Sequence, residues 1–137
     1  MGNRAVIAFT NSASASKCIY LHWNGGLASV EGFLGAAREL RIRHLDRRWG
    51  RVDEDRAMQQ LGTLIGRAYF GNDPGFTVYV EDYRSADKDN GDNGLYLIDS
   101  EFHIVGRKFA PRYEEIDPLK TAAIHEQIVA RAPIFND

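Results

Sequence analysis

Two runs near the amino end, RAVIAFT at residues 4–10 and KCIYLHW at 17–23, are rich in β-branched and aromatic residues. The segment between them, NSASAS at 11–16, is small and polar. This pattern predicts two antiparallel strands joined by a hairpin loop. Asn24-Gly25-Gly26 then ends the second strand, with glycines available for positive φ. The period next changes to three and four. Val30, Phe33, Leu34, Ala37 and Leu40 predict an amphipathic helix starting at Ala28 or Ser29. A second helix is expected after Asp53, a capping residue, with Met58, Leu61, Ile65, Ala68 and Tyr69 as its apolar stripe. Gly62 and Gly66 stand one turn apart on it, and each costs about 1 kcal/mol against alanine. Close approach of another part of the chain is the expected compensation.

Gly71-Asn72-Asp73-Pro74-Gly75 is turn chemistry. Strands are predicted at 76–83, 95–99 and 102–109. Asp117-Pro118, a capping residue followed by proline at the first helical position, opens a last helix carrying Leu119, Ala122, Ala123, Ile124 and Ile128. The order β-β-α-α-β-β-β-α, without a βαβ rhythm, predicts an α+β fold. It has a mainly antiparallel five-stranded sheet, with three helices packed on one face.

Period-two alternation sorts the strand residues. Ile7, Phe9, Ile19, Leu21, Trp23, Phe76, Val78 and Val80 fall on one side and should meet Val30, Phe33, Leu34, Leu61, Ile65 and Ile128. Cys18, Tyr20, His22, Tyr79, Glu81 and Tyr83 fall on the other, with Tyr96 expected to join them from the next strand. A solvated sheet face usually carries threonine, lysine and glutamate, so a tyrosine-rich face points to an interface or ligand platform. The competing expectation is that a loop or the last helix covers it as a second small core.

With 137 residues, 44% hydrophobic and 26% charged, the chain is one domain's worth of globular protein that needs no disulfide or metal to fold. One cysteine, no 20-residue apolar run and no basic-then-apolar opening predict a cytoplasmic protein with no membrane partner. The net charge of −2 hides an uneven spread. Residues 38–51 hold six arginines against Glu39 and Asp46, a local +4. Residues 81–101 hold seven acids against Arg84 and Lys88, a local −5. Such a dipolar chain steers a charged partner or aligns two copies of itself. Arg41, Arg43, Arg47, Arg48 and Arg51, interleaved with His44 and Trp49, are the nucleic-acid candidates, although the chain as a whole is acidic.

Ile19-Tyr20-Leu21-His22-Trp23-Asn24-Gly25-Gly26, followed by Ser29-Val30-Glu31 and Phe33-Leu34, forms one distinctive string, and Asp89-Asn90-Gly91-Asp92-Asn93-Gly94-Leu95-Tyr96-Leu97-Ile98 a second. Together they resemble a family of small bacterial proteins encoded in integron gene cassettes and prophages. The resemblance implies a mobile-element setting and assigns no catalytic residue.

Candidate chemistry is sparse. The chain contains no Gly-x-Ser-x-Gly elbow, phosphate-binding Gly-x-x-x-x-Gly-Lys or dinucleotide fingerprint. His22, His44, His103 and His125 form no H-x-x-x-H pair. Asp87, Asp89 and Asp92 are weak cation candidates, but Ile98 stands where a calcium loop needs glutamate. Asn24, Gly25 and Gly26 are anion-binding candidates at a helix start, with His22 as proton carrier. The leading expectation is a non-enzymatic binding or interaction module without a cofactor, working as a homodimer or on an unidentified protein or small ligand. A small enzyme for anionic or phosphate-bearing substrates at the Gly25-Gly26 turn, and a nucleic-acid binder, are the alternatives. The interface residues to watch are Tyr20, His22, Tyr79, Tyr83 and Tyr96.

Overall fold

A computed structural model of the chain describes residues 3–42, 45–46 and 51–134. It is α+β. The strands are β1 (Ala5–Phe9), β2 (Lys17–Leu21), β3 (Leu45–Asp46), β4 (Arg51–Val52), β5 (Val78–Asp82), β6 (Leu95–Ile98) and β7 (Ile104–Lys108). The helices are α1 (Leu27–Leu40), α2 (Glu54–Leu64) and α3 (Pro118–Arg131). The predicted caps stand: the carboxylates of Asp53 and Asp117 accept the amides of Arg56 and Lys120.

Five strands form one sheet in the order β5-β2-β1-β6-β7. Three of its four pairs are antiparallel; in the fourth, β1 and β6 run parallel with Ile7 opposite Tyr96. The sheet is therefore mainly antiparallel, as expected, and the one parallel pair, which the element order did not reveal, places β6 beside the first strand. β3 and β4 pair separately as a short hairpin that hydrophobic periodicity did not reveal. Two residues per strand are too few to show a period.

All three helices lie on one sheet face. Ile7, Phe9, Ile19, Leu21 and Val78 meet Val30, Phe33, Leu34, Leu61, Ile65 and Ile128 in the main core, as the alternation predicts. Gly62 and Gly66 show why α2 tolerates glycine. A Cβ on Gly62 would sit 2.5 Å from Cγ2 of Val80, and one on Gly66 2.6 Å from the carbonyl of Asn72. The helix thus lies flat on β5, continues as a π-helical turn over Ile65–Phe70, and the chain doubles back closely.

Two core assignments fail. Trp23 and Phe76 are 42% and 67% exposed, because β2 stops at Leu21 and β5 starts only at Val78. Leu119, in the first turn of α3, is 84% exposed, and only Ile124 and Ile128 of that helix are buried.

Candidate functional site

The sheet face away from the helices is divided in two. Over its middle, the segment that follows β5 folds back as a plug. Ala86 packs with Val6, Ala8, Cys18 and Leu95 in a second small core, with Tyr83 and Tyr20 against it. The plug is built by the Asn-Gly repeat. The buried Asn90 side chain donates to the carbonyls of Asp87 and Gly94 and accepts from the amides of Asp92 and Gly94. Gly91 and Gly94 take φ of 77° and 68°. Arg4 anchors the plug to β1, its amide and its Nε both donating to Asp92 Oδ2 at 3.0 and 2.8 Å. Hydrogen bonds from Arg4 hold the Asp92 carboxylate below its ordinary range.

This arrangement shows where several candidate residues lie. The covered-face alternative holds for the centre of the sheet. Tyr83 lies in a short 3₁₀ turn, half-buried, with the Lys88 ammonium 4.3 Å above its ring. Cys18 is buried, and burial pushes its thiol up to about 12, which suppresses the thiolate that nucleophilic chemistry requires. Asp87 and Asp92 face the Arg4 guanidinium, so a fixed cation already serves them. Among the described residues, no three His, Cys, Asp or Glu side chains converge as metal ligands.

Tyr96 is a correction. The parallel register sets it beside Ile7, on the helix side, where it is fully buried. Its hydroxyl donates to the carbonyl of Gly25 at 2.7 Å, and the Arg107 guanidinium lies 3.7 Å from its ring. The Asn24–Gly26 turn serves packing in the same way. Asn24, not a glycine, takes positive φ, and its amide donates to the Tyr69 hydroxyl at 3.0 Å. A Cβ on Gly25 would meet the Asn3 carbonyl at 2.6 Å. The cleft at the start of α1 is lined by Glu114 and Glu115 together with Lys120, and Glu114 is paired with the Arg107 guanidinium.

Beyond the plug, the face stays open along β2 and β5. Tyr20 and Tyr79 are directly opposite across the two strands, with ring centroids 6.0 Å apart. The Tyr20 hydroxyl lies 3.4 Å from Nδ1 of His22. Trp23, past the end of β2, meets the His22 ring edge-on at 5.0 Å. Four aromatic rings therefore run contiguously on the outside of the sheet. Tyr20 is half-buried and the other three are exposed. Burial pushes the Tyr20 phenol and the adjacent Glu81 carboxyl upward, with Asp87 raising Glu81 further. Sequence reasoning found Tyr20, His22 and Tyr79 and missed Trp23, which the alternation had assigned to the core.

β5 is also the outer strand of the sheet. The carbonyl of Thr77 accepts the amide of His22, the residue after β2. In an antiparallel ladder the next inward-facing residues are then Tyr79 and Glu81, which turns the amide and carbonyl of Val80 outward.

Of the arginine candidates, Arg41 is exposed and ends α1 in a left-handed conformation with φ of 54°. Arg51 lies in β4, and Arg43, Arg47 and Arg48 lie outside the described residues. No described helix is long and apolar enough to cross a membrane. Comparison with protein-family models, with curated proteins and with solved structures finds no match to this chain.

Proposed function

We propose that this protein is a non-enzymatic interaction module whose binding surface is the open end of the β2–β5 face, occupied by a second copy of the chain. The observation that supports this most is the contiguous ring set of Tyr20, His22, Trp23 and Tyr79 beside an edge strand. Tyrosine and tryptophan offer large apolar area, a hydrogen-bonding tip and little rotamer entropy to lose, which is why they concentrate binding energy at interfaces.

A second copy fits because β5 is self-complementary. A two-fold axis at Val80 lets its outward amide and carbonyl bond the same groups of the other copy. The same axis brings Tyr79 of one copy opposite Glu81 of the other on the open face, so that a phenol meets a carboxyl instead of two carboxylates meeting. The outward carbonyl of Val78 already accepts the Gly75 amide at 2.6 Å, so the open stretch of the edge is centred on Val80; an open edge is otherwise an aggregation hazard, and pairing removes it. The likeness to integron-cassette and prophage proteins supports a setting in a bacterial mobile element, where the paired module would serve as an adaptor.

The amide of Val80 reports on this pairing. Its hydrogen exchange is expected to be slow at about 100 μM protein and to quicken on dilution as copies separate. Exchange that is fast and independent of concentration would count against the reading.

A further inference from the structure

On the helical side of the molecule, an open cleft of about 330 Å³ lies between α1, α3 and the start of β7. Three basic side chains from different elements line it: Arg38 of α1, His125 of α3 and His103, the residue before β7. A second hollow of about 260 Å³ shares Arg38 and His103 with the first and adds Arg41. Arg38 and His103 thus line both hollows.

Each basic group is held in place. Arg38 donates from Nη1 to the carbonyl of Phe102 at 2.8 Å, and Phe102 takes a left-handed φ of 66° in the turn that presents this carbonyl. A carbonyl neutralises no charge, so this bond orients the guanidinium without cancelling it. Nη2 lies 3.6 Å from the point a Cβ on Gly35 would occupy, and Nδ1 of His125 lies 2.9 Å from the same point. Gly35 therefore brings the imidazole and the guanidinium to one spot on α1. His125 Nε2 lies 3.2 Å from Glu39, which fixes the ring. His103 Nδ1 lies 3.5 Å from Asp99 Oδ2, while Asp99 Oδ1 accepts the amides of Glu101 and His103 at 2.9 Å each. A carboxylate clamped by backbone amides thus orients the His103 ring through Nδ1 and turns its Nε2 away from Asp99.

Three pre-oriented basic groups around one cleft suit a ligand with several acceptor oxygens. Arginine takes such a ligand through parallel N–H donors, and an imidazole adds a further donor or accepts the ligand's own proton. The carboxylates Glu39 and Asp99 are turned onto the histidines, whereas Glu31 and Glu101 stand in the walls and limit how much negative charge the cleft accepts. We infer that this cleft is a binding site for a phosphate group, with Arg38 as its main contact and His103 and His125 as flanking hydrogen-bond partners. It is separate from the β2–β5 face and does not depend on what occupies that face.

The phosphate has two possible sources, a small free phosphate ester or the backbone of a nucleic acid, and titration separates them. Inorganic phosphate is added to the full chain at fixed pH and ionic strength, and the His103 and His125 ring-proton signals are followed by NMR. Saturable shifts of both are expected, weakened at least roughly tenfold in Arg38→Gln, since a hydrogen bond to a charged group contributes on that scale. Because Arg38 also braces the Phe102 turn, Arg41→Gln and His103→Gln serve as second variants, expected to weaken binding while the melting temperature holds. A single-stranded oligonucleotide that binds no more tightly per phosphate than the free ion assigns the site to small esters. One that binds much more tightly, with a steep salt dependence, assigns it to backbone phosphate. The absence of saturable shifts up to about 50 mM phosphate would overturn the inference, as would unchanged shifts in folded Arg38→Gln and Arg41→Gln.

Discussion

Replacing Tyr96 with phenylalanine removes one oxygen from the centre of the fold and leaves the ring. The lost hydroxyl is the donor to the Gly25 carbonyl, at 2.7 Å, with both residues buried. The aromatic area stays in place, as does the Arg107 guanidinium 3.7 Å from the ring. What remains is an unpaired carbonyl in a site closed to water, which costs about 1–3 kcal/mol. For a domain of this size each kcal/mol moves the melting temperature by roughly 3–4 °C, so a fall of about 3–12 °C is expected. Urea unfolding followed by circular dichroism should show the midpoint falling with an unchanged slope, because the buried surface is the same. Tyr79→Phe is the control: Tyr79 is 39% exposed, and its loss should shift stability by less than about 0.5 kcal/mol. If Tyr96→Phe were neutral and Tyr79→Phe costly, the parallel register of β1 and β6 would be wrong by one residue.

Three further outcomes follow from the packing. Gly62→Ala drives a methyl group into Cγ2 of Val80 and should cost about 1–3 kcal/mol by thermal melting, with partial recovery in Gly62→Ala/Val80→Ala. Asn90→Ala removes four hydrogen bonds that shape the plug and should cost about 2–4 kcal/mol; native-state hydrogen exchange should quicken at residues 86–94 before it does elsewhere. Cys18, whose thiol burial raises to about 12, should resist a thiol reagent at pH 8 until the chain is unfolded. Because the unfolded thiol ionises near 8.5, its contribution is complete below about pH 8.5 and fades as pH rises toward 12. Cys18→Ala should therefore flatten the alkaline loss of stability seen in urea midpoints.

The sequence carried the helices and the faces of β2 and β5 well, for a plain physical reason. Ile19-Tyr20-Leu21 and Val78-Tyr79-Val80 separate an apolar face from a polar-aromatic one, and Asp53 and Asp117 satisfy helix amides within their own turns. β6 reads Leu-Tyr-Leu-Ile, apolar on both sides because helices cover one face and the plug the other, so alternation could not say which way Tyr96 points. Trp23 and Phe76 were misplaced because alternation was carried past the points where pairing of β2 and β5 ends. The phosphate cleft is assembled from residues 38, 103 and 125 on three elements, and such a convergence leaves no local spacing to read. Its one trace in the chain is Gly35, a small residue in mid-helix that makes room for an imidazole.

The central claim, that the open aromatic end of the β2–β5 face holds a second copy, is tested most directly by mass. Light scattering of the purified chain at about 100 μM should give twice the chain mass of 15.4 kDa. The Tyr20→Glu/Tyr79→Glu variant, which sets a carboxylate at position 79 opposite Glu81 of the other copy and a second one behind it, should give the single-chain mass with its circular dichroism unchanged. A wild-type protein of single-chain mass, or a folded double variant that keeps the doubled mass, would contradict the account.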